Sequence, residues 1–495
     1  MMRRLALLCA WAVLAWAGGA HADGPLGANA TRIRTSNYAL DLTAGPVVLG
    51  TRAIGLGGAY VAIAEGVDGN TQNPAAPAVR SAWSEDHVDY DIGVGVAFPA
   101  TLSSTDYFNT GRGPTDLRHS EQTEFTLLSP AVNVQIGHWG VGMALDLQRY
   151  GLLRRPDPEQ PGQEQTVRAQ ISVLRTYLAR AVDDGQLVGG LGFHVTALDV
   201  TTRNEIITRS GNVFTTRGVN LEGGMLWRPN DQPFRFGFAI RAPVITAVEP
   251  KGEEYAGGDV VVGDPSSPDA IWLPKRVKRP WSADVGIALS IGSRPLNPPW
   301  IDPVLRQKEL DGWLRHRDRD RAKRLREALA LGPDYAAAVA EDNRVEHARD
   351  LVLAERAKSQ LHERLRQRYL AMPRPYVLIS AALHADGRVS NAVGVESLLQ
   401  QVVDRSGELV TISPRLGVET EPVLDWVKLR AGSYLEPTRF RGSSDRAHGT
   451  FGFDARLFDW SVFGLAEEHT HWRVGGAIDV SRAYLGWGVS VGVWR

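Results

Sequence analysis

His87 to Phe98 reads HVDYDIGVGVAF, and its apolar residues Val88, Tyr90, Ile92, Val94, Val96 and Phe98 fall on every second position. Successive side chains of a strand point to opposite faces, so this text sets one apolar face against a face of Asp and Gly. The pattern recurs downstream. Phe125 to Ile136 and Val141 to Tyr150 flank Gly137-His138-Trp139-Gly140, and Ile171 to Val182 and Leu187 to Val200 flank Asp183-Asp184-Gly185. Val219 to Trp227 and Phe234 to Ala242 flank Pro229-Asn230-Asp231. Alternating segments of about ten residues, divided by turn residues, are the signature of transmembrane strands.

A secreted array of β-sandwiches would share the alternation. Loop parity separates the two. Short turns at 137–140, 183–186 and 229–232 alternate with long polar stretches at 99–122, 151–166, 203–216 and 248–270. Outer-membrane barrels have short periplasmic turns and longer outer loops. Trp83, Trp139, Trp227, Trp272, Trp281, Trp426, Trp460 and Trp494 sit at segment ends, as interfacial girdles require. The C-terminal GWGVSVGVWR is another alternating segment with an aromatic residue near its end. These features predict an all-β transmembrane β-barrel of about 14 antiparallel strands.

The rest of the composition agrees. Arg3 and Arg4, the apolar run Leu5 to Ala17 and Ala20-His21-Ala22 follow the order of a secretory signal peptide over residues 1–22. Cleavage near Ala22 would remove Cys9, the only cysteine, and with it disulfide and thiolate chemistry. Net charge is -1, which gives no nucleic-acid footprint. The expected location is the bacterial outer membrane, in contact with its lipids.

Gly50 to Ala76, GTRAIGLGGAYVAIAEGVDGNTQNPAA, precedes the first strand. It fails the dinucleotide fingerprint, because Tyr60 stands where the third glycine belongs, and it has no lysine for a P-loop. Its glycines allow close backbone packing against a barrel wall. Gly50, Arg52, Ala53, Gly55, Gly57, Gly58, Ala59 and then Asn73-Pro74-Ala75 resemble the N-terminal region of the FadL-like family of outer-membrane transporters, which includes PorV-like relatives. Leu221 to Pro243, Leu273-Pro274, Asp284-Val285-Gly286, Arg415 to Glu419 and Leu429 to Gly432 extend the likeness. Thr71-Gln72 and Ala76 depart from it, where the family has an aromatic residue and a glycine.

The resemblance implies that residues 23–85 form a hatch plugging the barrel. It also implies passive uptake of hydrophobic molecules such as lipids or long-chain fatty acids, with no cofactor. Some relatives bind exported proteins, so an assembly or shuttle role on the same scaffold is the alternative. Residues 86–294 and 375–495 would supply the wall.

Between them, residues 295–374 change character. Val304 to Leu331 and Asp334 to Leu370 are charged helical text divided by Gly332-Pro333, and Leu351, Ala354, Leu361, Leu365 and Tyr369 recur at helical spacing. This predicts an inserted α-helical hairpin, placed in the periplasm if eight strands precede it. It is either a solvated hairpin or, over 303–372, a docking arm for a periplasmic partner. No enzyme is expected. Gly488-Val489-Ser490-Val491-Gly492 matches a nucleophile elbow, but only three residues follow it. Glu467, Glu468, His469 and His471 cluster without a zinc-type scaffold, so no metal is expected.

Overall fold

The computed structural model describes residues 26–494 apart from 44, 48–49, 82–83, 85, 100–104, 112–119, 155–164, 205–210, 251–252, 256–257, 268 and 460–470. The expected leader, Trp83, Trp460 and Glu467 to His469 lie outside the described residues. Fourteen strands form the wall: β1 Val88–Pro99, β2 Ser120–Ile136, β3 Trp139–Arg154, β4 Gln165–Val182, β5 Leu187–Asn204, β6 Gly211–Trp227 and β7 Phe234–Arg241. The second half is β8 Ser282–Gly292, β9 Tyr376–Asp386, β10 Thr411–Val423, β11 Val427–Glu436, β12 Arg446–Asp459, β13 His471–Ser481 and β14 Tyr484–Val493. Each strand pairs antiparallel with its neighbours in sequence. β14 pairs with β1 from Gly93↔Gly492 to Pro99↔Gly486, which closes the barrel.

The wall is inside out relative to a soluble sheet. Ile92 and Val94 are 40% and 44% exposed while Asp91 between them and the start of the strand is 8% exposed. Met143, Leu178, Leu191, Ile287, Leu416, Phe451 and Val491 likewise face outward, and Asn133, Arg175, Glu222, Asp284, Arg430 and Asp454 are buried within. A sandwich would bury the apolar face; here lipid covers it, because a closed barrel leaves no unpaired edge in the hydrocarbon.

The aromatic expectation holds at some positions and not at others. Trp139, Trp227 and Trp426 are exposed at the short-turn end, and at the other end Phe98 stacks on Trp487 with ring centroids 4.6 Å apart. Trp272 instead joins a small sheet with Glu253–Tyr255 and Asp259–Val262, and Trp494 is buried with Lys428 Nζ 4.3 Å from its ring. A position at a strand end does not say which face a side chain takes; the register does.

The strands are also longer than their alternation indicates. β2, β3, β4, β5 and β6 all reach into the stretches read as loops. Along β3 the inward series changes from Asp146 and Gln148 to the buried Tyr150 and Leu152, while the outward series changes from Val141 and Met143 to the exposed Arg149. Above the apolar belt the wall rises out of lipid, and polarity reverses. The period of two survives but its phase flips, which a reading tuned to one phase takes as the end of the strand.

This raised end is filled. Ile33, Tyr38, Leu40 and Leu42 pack with Tyr107, Phe108, Phe125, Leu398 and Leu399 into the largest apolar core. Ala39–Asp41 lies parallel between Arg276–Arg279 and Ala392–Gly394 in a five-stranded sheet. From Leu26 the described chain thus runs from the long-loop end down the bore and leaves at the short-turn end, where Arg80 Nη2 donates to the carbonyls of His87 (2.6 Å) and Gly137 (2.9 Å).

Four α-helices lie among the described residues: α1 Thr51–Gly55 in the bore, α2 Pro303–Leu329 and α3 Pro333–Leu370 in the insertion, and α4 Val395–Gln400 in the apolar cap. Asp302 caps α2 by accepting from Val304 N and Leu305 N, and proline occupies the first turn of both long helices. They run antiparallel, joined by Lys358–Asp311 (2.7 Å), Arg317–Asp350 (3.1 Å) and Arg321–Asp350 (2.6 Å). Ala354 is buried and Leu361 half-buried, Leu365 lines a pocket with Trp300 and Ile301 at the hairpin root, and Leu351 is 46% exposed, while Arg321 and Asp350 are buried between the helices. The seam mixes small side chains with ion pairs, so apolar spacing alone misplaces its register. Eight strands precede the hairpin, and it emerges at the short-turn end.

Candidate functional site

The bore is occupied by residues 50–80, and their contacts reach the inner face of every one of the fourteen strands. On the first half of the wall, Val67 N donates to Asp91 on β1 (2.9 Å), and Asn70 Nδ2 to Asn133 on β2 (2.8 Å). Pro77 lies against Gly140 and Gly142 on β3, and Ala75 against Ala179 on β4. Pro74 meets Gly190 on β5 and Gly224 on β6; Val61 meets Gly237 on β7 and Gly286 on β8. Across the second half, Leu56 packs on Leu378 of β9 and on Gly417 and Gly432 of β10 and β11. Gly55 faces Gly452 on β12, Arg473 on β13 reaches Asp68 (2.7 Å), and Thr51 Oγ1 lies 2.6 Å from Ser490 Oγ on β14.

A ring of wall glycines makes this fit. At Gly140, Gly190, Gly237 and Gly432 the place of a Cβ is already filled by lumenal backbone, and at Gly224 by the Asn73 side chain and the Pro74 ring. Glycine inside a strand allows another chain to approach closely. The converse holds at Gly57, whose φ is +59° and whose Cβ would stand 2.9–3.0 Å from the backbone of Ser433 and Leu416.

The residues matched to the family converge on this segment. Arg52 grips Glu419 through Nε and Nη2 (2.8 Å each) and reaches Tyr60 Oη (2.9 Å) and Glu65 (3.2 Å) through Nη1. Ala53 and Ala59 are wholly buried, and Gly58 lies under the Arg415 guanidinium. Asn73 Nδ2 donates to Val61 O (2.9 Å) and Met225 O (3.1 Å), while its Oδ1 accepts from Ala75 N (3.0 Å), so one side chain pins the turn to itself and to the wall. Gly50 faces Asp68, the partner of Arg473.

The wall contributes an ionic belt whose pairings the sequence does not give, although Asp284, Glu419 and Arg430 stand in the family-like stretches. Arg430, fully buried, joins Glu419 (2.5 Å) to Asp454 (2.6 Å), and Arg473 joins Asp454 (3.0 Å) to Asp68. Higher up, Arg241 joins Asp284 (2.6 Å) and Glu222 (3.4 Å), and His384 lies between Asp284 (2.8 Å) and Asp386 (3.1 Å). Buried charges persist only when paired and hydrogen-bonded. Each of these residues is the polar member of an alternating pair. That was the available signal, but alternation cannot say which partner each one finds across the bore.

A second network ties the lumenal segment to the root of the insertion. Buried Arg235 donates to Ile63 O (3.0 Å) and Glu65 (2.7 Å) on one side, and to Asn297 Oδ1 (2.7 Å) and Leu296 O (2.6 Å) on the other. Arg80 lies 4.1 Å from the centroid of Trp300, and His87 Nδ1 is 2.9 Å from Asp302, the α2 cap.

The remaining motifs lead elsewhere. Ser490 of the elbow-like match sits in mid-strand, its hydroxyl engaged by Thr51 Oγ1 at 2.6 Å. His471 opens β13 with Arg456 Nη2 3.1 Å from its ring nitrogens, and the described residues hold no metal-competent group of three or more His, Cys, Asp or Glu.

No protein-family model and no curated relative matches the sequence. Among solved structures the chain is similar to a Pseudomonas aeruginosa FadL homologue, at 11% identity over 91% of this chain and 99% of that one, with a TM-score of 0.48. It is also similar to CymD, a monoaromatic hydrocarbon channel, at 10% identity over 91% and 96% with a TM-score of 0.45. The toluene transporter TodX of Pseudomonas putida gives 9% identity over 94% and 95%, with a TM-score of 0.39.

Proposed function

We propose that this protein is a FadL-like outer-membrane channel for hydrophobic molecules, closed by residues 23–85 acting as a hatch. One observation carries the reading: the segment 50–80 contacts all fourteen strands, which supports its acting as a plug that must move before a ligand crosses. The residue-level resemblance from Gly50 to Ala75 supports the same assignment. Apolar ligands, with long-chain fatty acids as one class, would load at the long-loop end, where the apolar core lies. Burial there captures them at about 25 cal/mol per Å² without any reacting group. The ionic belt beneath disfavours an apolar passenger, so the ligand would leave sideways through the wall or after hatch displacement. The short-turn end, with the helical hairpin, would face the periplasm.

The test is uptake of radiolabelled oleate and toluene into proteoliposomes, with wild type and a variant lacking residues 50–76. Faster passage through the deletion, with the barrel still heat-modifiable on gels, supports the hatch. Unchanged passage refutes it.

A docking role is favoured by a separate observation, the Arg235 network joining hatch to hairpin root. A periplasmic partner holding the hairpin over 303–372 would pull on the hatch through it. Deleting 303–372 should leave the barrel folded; loss of uptake would then favour docking over an inert hairpin.

A further inference from the structure

Between the apolar cap and the hatch lies a cavity of about 170 Å³. One side is apolar, lined by Leu42, Val47, Leu127, Ile171 and Val173; the other carries Arg175, Arg241, Arg279 and Arg415 with Asp146, Asp284, His384 and Asp386. The carboxylates there are engaged. Asp146 holds Arg175, Asp284 holds Arg241 and His384, and Asp386 holds His384. Among the described residues two guanidiniums make no direct ion pair, although Asp284 and Asp386 stand near Arg415, and Glu222 and Asp386 near Arg279. Arg279 stands on the short strand that pairs with the N-terminal segment, and neither it nor Arg415 makes an ion pair among the described residues. Arg415 is 8% exposed, rests on Gly58 of the hatch and has one weak contact, Nε to Ser413 Oγ at 3.5 Å.

Elsewhere in this lumen a buried arginine is held by a carboxylate or by backbone carbonyls, as at Arg52, Arg228, Arg235, Arg430 and Arg473. Arg415 is buried and Arg279 half-buried; a guanidinium withdrawn from water without such partners is costly, and its planar fork fits a carboxylate or phosphate. We infer that this cavity binds a small organic oxyanion, held by Arg279 and Arg415 with its compact apolar body against Leu42, Val47 and Ile171. Size bounds the class. A water needs about 10–15 Å³ of such space, so the cavity takes a molecule on the order of ten heavy atoms and not a long acyl chain. Because Arg279 belongs to the cap and Arg415 touches the hatch, the bound anion would bridge the two closures. The inference deepens the channel reading and rests on it.

Isothermal titration calorimetry of the full chain in detergent tests it, with phenylacetate as probe and methyl phenylacetate as its uncharged match. Phenylacetate should bind with an affinity that falls with salt, and the ester roughly tenfold or more weaker. The Arg279→Gln, Arg415→Gln double variant should lose the difference, and Arg279→Lys with Arg415→Lys should keep part of it. Equal binding of acid and ester, unchanged affinity in the double Gln variant, or no phenylacetate binding would each overturn the inference. The oleate uptake assay separates the two readings: uptake without phenylacetate binding removes this site alone, whereas absence of both removes the channel as well.

Discussion

Replacing Gly190 with alanine should unseat the hatch, whereas the same change at its neighbour Gly189 should do nothing. The two glycines are consecutive on β5 and face opposite ways: Gly189 outward with nothing within 4 Å of an added Cβ, Gly190 into the bore. A Cβ on Gly190 would stand 2.5 Å from Ala75 N and closer still to the Pro74 carbonyl, against 3.4–4 Å for ordinary contact. The Asn73-Pro74-Ala75 turn must therefore retreat by about an ångström or more. Backbone is what it meets, so no side-chain rotation relieves the clash. Retreat breaks the Asn73 Nδ2 bond to Met225 O, so one buried hydrogen bond between turn and wall is lost. Overpacking costs about 1–3 kcal/mol and an unmade buried hydrogen bond about 1–3 kcal/mol, not fully additive. A total near 3 kcal/mol corresponds to roughly a hundredfold shift in hatch seating. Planar-bilayer conductance would read it as long-lived openings in Gly190→Ala that Gly189→Ala and wild type lack. Heat-modifiable migration of all three would show that the wall is closed. Identical conductance of the two variants, both folded, would refute the argument that hatch backbone is pressed on wall glycine.

Arg235→Met should loosen the hatch from the hairpin root while sparing the wall, since all four of its hydrogen bonds go to Ile63, Glu65, Leu296 and Asn297; protease cleavage near Leu296 should quicken, and unchanged cleavage would deny the tie. The hairpin should lose stability in acid. Burial acts to raise the Asp350 carboxyl, but hydrogen bonds from Arg321 and Arg317 outweigh it, and the Arg321 hydrogen bond lowers Asp318, so both lie below their ordinary value. A lowered folded value means stability present above the unfolded value of about 3.9 and lost as pH falls through the folded one; the 222 nm helix signal should therefore melt earlier at pH 3 than at pH 7. Topology is tested by two exposed sites, Thr31 at the long-loop end and Ser359 on α3. An impermeant maleimide should label Thr31→Cys but not Ser359→Cys in intact cells, and the reverse would invert the barrel.

Much of the wall was legible because a barrel strand in lipid obeys one rule, apolar outward and polar inward with a period of two. Val88 to Phe98 follows it along its whole length, and so the strand, its faces and its place in the wall could be read directly. Loop parity added which strand ends share the short turns. Gly332-Pro333 likewise announced the break between α2 and α3, since glycine at φ 132° and proline at the first helical turn are local events. What the sequence could not fix was whatever depends on partners far apart in the chain. Tyr150 and Leu152 continue β3 with reversed polarity because a cap from residues 26–42 and 389–403 covers them, and no local window contains both. Arg52 and Arg430 meet on Glu419 only after the bore brings α1, β10 and β11 together.

The family-like residues show the same division. Gly50 to Ala75 marked the segment, because glycine spacing is a local property, and in the structure those residues gather in the lumen. Their fit needed Gly190, Gly224, Gly237 and Gly432, which in sequence are unremarkable strand glycines scattered over the wall. Closure of the barrel puts them in one ring. Likewise Arg279 and Arg415 are ordinary charged residues until the pairing of Ala39–Asp41 with Arg276–Arg279 and the inward register of β10 place both on one cavity. Sequence by itself determined the period and polarity of each strand, since those follow from the solvent on either face. The tertiary structure alone decided which buried charges pair and which remain unpaired, because pairing in a barrel is set by closure and shear across strands distant in the chain.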